Sequence, residues 1–246
     1  MIFFLFILCF TACFLLWRHL RDIELLKSVT SRNRGERSER NTILKLLKMG
    51  IDPRAIFHDC YIRRKTGTYT QVDLVVATKV GLLVFEIKDY SGWIFGNYRQ
   101  KYWTQVLAYG KEKYRFYNPI MQNNGHIQAI RENLSHNPDI PIYSIIVFFG
   151  RCELRDVTIC SDNDYIIYPN KIKRTVNDIL SHADAHFGNK HEIMDVLTKA
   201  VNDGTNPTIV SSQLMTAAQA GHNRPQYYYS YSFNPFAILR RFNQWR

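Results

Sequence analysis

Residues 70–92 read TQVDLVVATKVGLLVFEIKDYSG, which is two apolar runs on either side of a short turn around Lys79 and Val80. Short apolar runs rich in β-branched residues and bounded by turn signals are typical of buried strands. A two-residue turn closed by Thr78 and Gly81 makes the segment a β-hairpin and fixes its register. The segment therefore predicts a hairpin at the centre of a sheet.

This register brings three polar side chains to one face of the hairpin. Asp73 lies opposite Glu86, and Lys88 shares that face because side chains alternate along a strand. Directly opposed carboxylates repel each other, so we expect a cation between them. Mg²⁺ (or Mn²⁺) is the expected ion, because hard cations prefer oxygen ligands. Two alternatives stay open: a turn one residue longer would break the pairing, and the polar face could be an ordinary exposed one.

The elements around the hairpin predict an α/β fold. Residues 36–49 and 122–134 place apolar side chains at helical spacing, and IYSIIVFFG at 142–150 suits a buried strand. Other strands are expected at 56–63, 70–78, 82–88, 157–160 and 165–168, with more in 93–117 around turns at Gly96 and Gly110, and other helices at 171–182 and 190–202. This order is typical of a central mixed sheet flanked by helices.

The N-terminus is an uncharged apolar run. Residues 2–17 read IFFLFILCFTACFLLW, and Arg18, His19 and Arg21 follow at once. Counted through residue 20, the run just reaches the ~17–20 residues that a membrane span needs. Because positive charge follows the run and none precedes it, we expect a single-pass membrane anchor over 1–20 with the bulk of the chain in the cytoplasm. A cleaved signal peptide is the alternative, but a basic n-region and a small-residue cleavage site are both missing.

The net charge of +11 indicates a polyanionic partner, either nucleic acid or anionic lipid. The clustered bases that could flank a site are Arg32, Arg34, Arg37, Arg40, Arg63, Arg64 and Lys65. Those near the anchor also suit anionic headgroups. The five cysteines show no zinc-type spacing, so reduced thiols are expected and a structural zinc is not.

Several ordered blocks resemble a known family. They are VD at 72–73, EIKDYSG at 86–92, YWTQ at 102–105 and YNPIMQNNGHIQAI at 117–130. Together they resemble the nuclease-related domain, NERD, which is placed in the PD-(D/E)xK nuclease superfamily. The resemblance covers roughly residues 34–150 and implies a PD-(D/E)xK nuclease-like core behind the N-terminal helix. It also implies Mg²⁺-dependent hydrolysis of DNA phosphodiester bonds.

Residue by residue, the resemblance implies that Asp73 and Glu86 are metal-binding and catalytic carboxylates and that Lys88 is the lysine of the ExK element. The first helix of the family usually supplies a further glutamate. Here RGERSER at 34–40 offers both Glu36 and Glu39. Glu39 is the better match to the family pattern, although a serine replaces the expected glycine before it, and Glu36 stays open.

The NPxxQ element of the family matches Asn118 and Gln122, which are therefore expected to contact substrate. His126 lies four residues after Gln122 on the same helix face, and we interpret it as structural. We also interpret Trp103 as a packing residue. His58 and Asp59 are treated as structural, and the pair Gln105 and Tyr109 is discounted because it falls on a predicted strand.

The chain then divides into 1–20 (anchor), 21–33 (juxtamembrane linker), 34–150 (nuclease-like domain), 151–204 (α/β extension) and 205–246 (flexible, tyrosine-rich basic tail with a short helix at FAILRRF). The predicted function is a membrane-anchored, metal-dependent DNA nuclease. The alternative is a catalytically inactive nucleic-acid-binding or membrane-associated interaction module of the same fold.

Overall fold

The structure is a computed structural model that describes residues 2–31, 34–159 and 161–219. Its main elements are α1 (Ile2–Lys27), α2 (Arg37–Lys48), β1 (Ile56–Arg63), β2 (Tyr69–Thr78), β3 (Gly81–Asp89), β4 (Gly92–Asn97), β5 (Tyr102–Leu107), β6 (Glu112–Tyr117), α3 (Pro119–Glu132), β7 (Ile142–Phe149), β8 (Cys152–Thr158), β9 (Asp164–Ile167), α4 (Ile172–Leu180), α5 (Lys190–Asp203) and α6 (Pro207–Gln219).

The first sheet is mixed and has five strands in the order β1-β2-β3-β7-β9. Its β1–β2 and β2–β3 pairs are antiparallel, whereas β3–β7 and β7–β9 are parallel. The predicted hairpin register is confirmed, because Thr78 pairs with Gly81 and Leu74 with Phe85. Strand β3 is central and buried on both faces, which explains why its sequence is a continuous apolar run.

Helices cover both faces of the first sheet. On one face, Leu46 of α2 shares a cluster with Phe85 and with residues of α4. On the other face, Ile130 of α3 and Leu197 of α5 share a cluster with Val84. Truncating a fully buried leucine such as Leu46 to alanine costs about 2–5 kcal/mol, so these layers hold β3 firmly in place.

The second sheet has four strands in the order β6-β5-β4-β8. Trp103 on β5 joins it to the first sheet by stacking on Phe148 of β7, with interplanar angle 2°. A turn at Gly110 was predicted, and Gly110 does lie between β5 and β6 with φ of +102°. Gly96, by contrast, lies inside β4 and not in a turn. Glycine is needed there because a Cβ would lie 2.3 Å from the Trp103 ring.

Helix α1 continues past the apolar run. The stretch Phe3–Lys27 is long and apolar enough to cross a membrane by length and composition. Where the sequence predicted a linker over 21–33, the structure has helix through Lys27, and Leu25 and Leu26 pack against the core. The Lys48 ammonium of α2 donates to Asp22 at 2.6 Å. The end of α1 is therefore part of the folded domain.

Beyond β7 the chain continues to build on the same core. Strand β9 adds to the first sheet, and α4 and α5 form close to their predicted ranges. Helix α6 occupies 207–219, where the sequence indicated a poorly structured tail. The predicted FAILRRF helix and the tyrosine-rich run lie outside the described residues.

Candidate active site

The pairing of β2 and β3 stops at Leu74 and Phe85, one residue before the predicted acidic pair. Beyond that point, Asp73 Oδ2 accepts a hydrogen bond from the backbone N–H of Ile87 at 2.7 Å. The carboxylate thus replaces the backbone acceptor that continued strand pairing would have provided. This bond holds Asp73 against β3, on which Glu86 is the next residue after Phe85.

Glu86 and Lys88 form an ion pair on β3. Lys88 Nζ lies 2.5 Å from Glu86 Oε1, and it also donates to Gln122 Oε1 of α3 at 3.0 Å. Glu86 is only 1% exposed, so water screens this pair little. The structure therefore brings together Glu86, Lys88 and Gln122, all three predicted to form the site. Glu86 and Lys88 are neighbours on one face of β3.

His126 holds the second oxygen of Glu86. Its Nε2 lies 3.1 Å from Glu86 Oε2, and its Nδ1 lies 2.8 Å from the Thr70 hydroxyl of β2. All three side chains are buried. Because both ring nitrogens have partners, the orientation of the imidazole is fixed. The carboxylate of Glu86 is consequently held at both oxygens.

The same arrangement recurs at Glu39 in the first turn of α2. His58 Nε2 lies 2.9 Å from Glu39 Oε2, and His58 Nδ1 lies 2.8 Å from the hydroxyl of Thr30. Glu39 is buried and close enough to Asp73 to repel it. Glu36, the alternative helix glutamate, occupies the N-cap position of α2 and is partly exposed. The structure thus favours Glu39 over Glu36.

The charges at the site are unequal. Burial, together with repulsion from Glu86 and Glu39, raises the pKa of Asp73 well above its ordinary value. Burial would also raise the pKa of Glu86, but Lys88 and His126 outweigh it and bring that pKa below its ordinary value. Burial would lower the pKa of Lys88, but attraction to Glu86 outweighs burial and raises it. The site therefore combines an ionised Glu86–Lys88 pair with a neighbouring carboxyl group, Asp73, whose ionisation is disfavoured.

A divalent cation fits two of these side chains. Within residues 2–31, 34–159 and 161–219, no group of three or more His, Cys, Asp or Glu side chains is arranged to hold a metal ion. The three-carboxylate set predicted with Glu39 is therefore not assembled. Mg²⁺, however, commonly takes one or two carboxylates and completes its shell with water and phosphate. Asp73 and Glu86 supply such a pair, and a cation beside them would remove the repulsion that raises the pKa of Asp73.

Asn118 is a buried helix cap, and its predicted contact with substrate stays a prediction. Its Oδ1 accepts the backbone N–H of Ile120 at 2.9 Å, and its amide nitrogen donates to the carbonyl of Gln100 at 2.7 Å. Its side chain is fully buried. The element NPxxQ therefore serves two purposes, since Asn118 begins α3 and Gln122, one turn later, reaches the Lys88 amine.

The other residues considered from the sequence lie apart from this site. Trp103 is fully buried, which confirms its packing role. Gln105 donates to a backbone carbonyl at 2.8 Å, and Tyr109 is 97% exposed in the loop after β5. Asp59 forms an ion pair with Arg34 at 2.7 Å, so both are structural.

The predicted basic flanks are only partly free to contact a ligand. Arg32 lies outside the described residues. Arg34 is held by Asp59, and Arg40 donates to the carbonyl of Gly35 at 2.5 Å, so both stabilise the loop before α2. Arg64 and Lys65 lie in the turn between β1 and β2, beside α3.

The sequence pattern around this site matches a family as well. Residues 34–149, just under half of the chain, match the profile of the nuclease-related domain family, NERD. These residues are thus similar to a nuclease-related domain. The match confirms the resemblance seen in the sequence, and it runs from the loop before α2 to the end of β7. It therefore contains Glu39, Asp73, Glu86, Lys88 and Gln122.

The chain is also similar to an uncharacterized protein of Bacillus anthracis. The two chains are 29% identical over 149 residues, which are 60% of this chain and 67% of that relative. No solved structure matches the chain.

Four polar residues around the carboxylates were not assigned to the site from sequence: Thr30, His58, Thr70 and His126. Each lies at least 19 residues along the chain from its partner, so no local pattern indicates the contacts. The one available signal was the spacing of His126 four residues after Gln122, which places both on one face of α3.

Proposed function

We propose that this protein is a metal-dependent nuclease that hydrolyses DNA phosphodiester bonds at the site formed by Asp73, Glu86 and Lys88. The observation that carries the proposal is the meeting of two buried carboxylates and a partly buried amine at the end of the β2–β3 pairing, within the residues that match the nuclease-related domain. Buried like charges cost stability, and groups with perturbed pKa values concentrate at functional sites.

Each residue has a defined role in the proposed reaction. Bound Mg²⁺ or Mn²⁺ would act as a Lewis acid on the phosphate and activate water. Asp73 and Glu86 would hold the ion, with Glu39 as a more distant carboxylate. Lys88 is protonated, because its pKa is raised, so it stabilises negative charge that develops on the phosphate and does not take the proton of the water. Gln122 orients the Lys88 amine.

The overall chemistry is an exchange of one phosphorus–oxygen bond for another. The water oxygen bonds to phosphorus and loses a proton to solvent, and the phosphorus–oxygen ester bond breaks. The leaving oxygen then gains a proton. In this proposal the Lys88 ammonium faces the phosphate, because a fixed positive charge stabilises most where negative charge develops in the transition state.

We also propose that α1 anchors the enzyme in a membrane with the domain on the cytoplasmic side. The apolar run followed by Arg18, His19 and Arg21 supports this orientation. These bases suit the headgroups of anionic lipids, and the net charge of +11 also supports a polyanionic substrate.

The test uses the full chain in a neutral detergent with plasmid and linear DNA. Cleavage is measured with Mg²⁺, with Mn²⁺ and with EDTA. We expect Glu86→Gln and Lys88→Ala each to lower the rate at least about 100-fold, by loss of a charge that acts in the transition state. Lys79→Ala is the matched control, because Lys79 is an exposed lysine of the same hairpin. Undiminished cleavage in EDTA, or in both site variants, would contradict the proposal.

A second candidate function is a non-catalytic module of the same fold that binds nucleic acid. One observation favours it: both oxygens of Glu86 are already bound, one by Lys88 and the other by His126. Salt-sensitive DNA binding without cleavage in any divalent cation would support this candidate. A metal-dependent cleavage that Glu86→Gln abolishes would exclude it.

A further inference from the structure

The second sheet has an outer face that the candidate active site does not use. Ile94, Trp103 and Phe116 on its inner face are buried against β7. Because side chains alternate along a strand, the residues between them project outward. The outer residues that are partly or fully exposed include Trp93, Phe95, Tyr102, Lys113 and Arg115.

Cations lie over the aromatic rings of this outer face. The Arg155 guanidinium is 4.5 Å from the centre of the Trp93 ring. The Arg115 guanidinium and the Lys101 amine are 5.6 Å and 5.5 Å from the centre of the Tyr102 ring. Two rings of the outer face, Trp93 and Tyr102, thus each carry at least one positive group.

A β-bulge contributes to the position of Arg155. Along β8 the pairing with β4 passes from Leu154 directly to Asp156, so Arg155 is the extra residue. Bulges of this kind redirect a side chain. The same guanidinium also pairs with Glu153 at 2.9 Å, and both side chains are about half exposed. The position over the Trp93 ring is therefore fixed by backbone geometry as well as by charge.

The charge of the face is complementary to a polyanion. Residues 92–117 contain five Lys or Arg residues and one acidic residue, and β8 adds Arg155, Glu153 and Asp156, so that six basic residues outnumber three acidic ones. Basic surfaces with interspersed aromatic rings bind single-stranded nucleic acid, because phosphates contact the cations and bases stack on the rings. Continuing the β4–β5 register places Asn97 opposite Tyr102, four residues after Trp93. The two rings are therefore separated by about 13 Å along the strand direction. This is the rise of about four stacked nucleotides.

We propose that the outer face of the second sheet binds a single-stranded segment of nucleic acid, with bases stacked on Trp93 and Tyr102 and phosphates bound by Arg115 and Arg155. The inference rests on the proposed function, because it assigns a surface to the substrate of that site. Lys88 precedes Trp93 by five residues, which limits the distance between their α-carbons to about 18 Å. A strand held on this face therefore lies within a few nucleotides of the candidate active site.

The experiment measures oligonucleotide binding by the full chain in neutral-lipid nanodiscs, with EDTA present to prevent cleavage. The probe is a labelled oligothymidylate about 12 nucleotides long. We expect Tyr102→Ala to weaken binding about 5- to 150-fold, the effect of losing one stacked base. We expect Arg115→Gln to reduce the slope of log affinity against log salt by about 0.7. The matched controls are Tyr109→Ala and Arg54→Gln, which alter exposed residues outside the face and should leave binding unchanged.

Tryptophan fluorescence gives a second measurement that does not depend on the alanine variants folding well. Oligothymidylate should quench part of the wild-type signal. Trp93→Phe should lose that quenching but keep its affinity, since phenylalanine still offers a ring for stacking. Unchanged quenching in Trp93→Phe, or wild-type affinity in Tyr102→Ala, would overturn the proposal.

Two further comparisons separate this proposal from its competitors. Duplex DNA of the same length should bind more weakly and be insensitive to Tyr102→Ala, because its bases are not free to stack. If the variants reduce binding to anionic vesicles but not to oligothymidylate, the face binds lipid and the proposal is wrong. Binding on the face without any cleavage would contradict only the nuclease function. Cleavage with a normal KM for single strands in the face variants would contradict only this inference.

Discussion

Replacing Asp73 with asparagine should stabilise the folded protein while it abolishes cleavage. Asparagine retains an oxygen that can accept the hydrogen bond now made by the Ile87 N–H. The change removes a negative charge that faces Glu86 and Glu39. Asp73 is only 8% exposed, so solvent screens that repulsion little. A site that holds like charges together trades stability for function.

The sign and size of the effect follow from the raised pKa of Asp73. This pKa is higher in the folded protein than in the unfolded chain, where it is about 3.9, so the folded state binds the proton more tightly. The stability linked to this group is complete below about pH 4 and is lost as pH rises toward the folded pKa. One pKa unit is about 1.4 kcal/mol. At neutral pH the asparagine variant should therefore be more stable than the wild type, and each unit by which the folded pKa exceeds the unfolded one would raise Tm by roughly 3–6 °C.

Thermal unfolding in EDTA at about pH 7.5 and about pH 4.5 checks this prediction, with the gain expected only at the higher pH. Asp59→Asn is the matched control. Asp59 is equally buried but is held by Arg34 and Gln71, each at 2.7 Å. Its φ of +57° suits asparagine as well as aspartate. The control should lower Tm, because it breaks an ion pair. A Tm for Asp73→Asn at or below wild type at the higher pH would refute the reasoning.

Three further predictions test the surroundings of the site. Gly35→Ala should lower both Tm and cleavage rate, because Gly35 has a φ of +71° and a Cβ there would lie 2.4 Å from the carboxylate of the buried glutamate of α2. Gly50→Ala is the control, because Gly50 has a φ of +89° but no atom within 4 Å of the added Cβ. It tests backbone strain alone and should lower Tm less than Gly35→Ala. Asn118→Ala should lower the free energy of unfolding in urea by at least about 1 kcal/mol, through loss of a helix cap, with KM for DNA unchanged. A fall in affinity for DNA without a loss of stability would support its substrate role. Deletion of residues 1–31 should lower Tm more than deletion of 1–20, because only the longer deletion removes the apolar residues of α1 that pack on the core. Equal Tm values would show that those contacts contribute nothing to the stability of the fold.

The hairpin could be predicted because its determinants are local. The turn between Thr78 and Gly81 sets the register, and a slip of one residue would move every apolar side chain to the wrong face. The continuation of α1 to Lys27 could not be predicted in the same way. Residues 18–27 mix charged and apolar side chains, and their helix is stabilised by contacts with a core that forms only in the folded protein.

The site shows the same division between local and distant information. Alternation along β3 was sufficient to place Glu86 and Lys88 together on one face. The hydrogen bond from the Ile87 N–H to Asp73 could not be predicted. It depends on the residue at which the β2–β3 pairing stops, and the spacing of residues in the sequence does not determine that residue. The His126 contact joins positions that are 40 residues apart in the chain, so it depends on how α3 packs against the sheet.

The unbroken course of α1 determines how the domain would be held if this helix spans a bilayer. No flexible joint lies between its apolar half and Leu25, the first residue of α1 that packs on the core. Inserting one alanine just before Leu25 would raise the domain by about 1.5 Å and turn it by about 100° around the helix axis. Inserting a whole helical turn would raise the domain by about 5.4 Å and nearly restore its original orientation around the helix axis. The distance of the domain from the lipid and its rotation about the helix axis would thus depend on the number of residues in the helix.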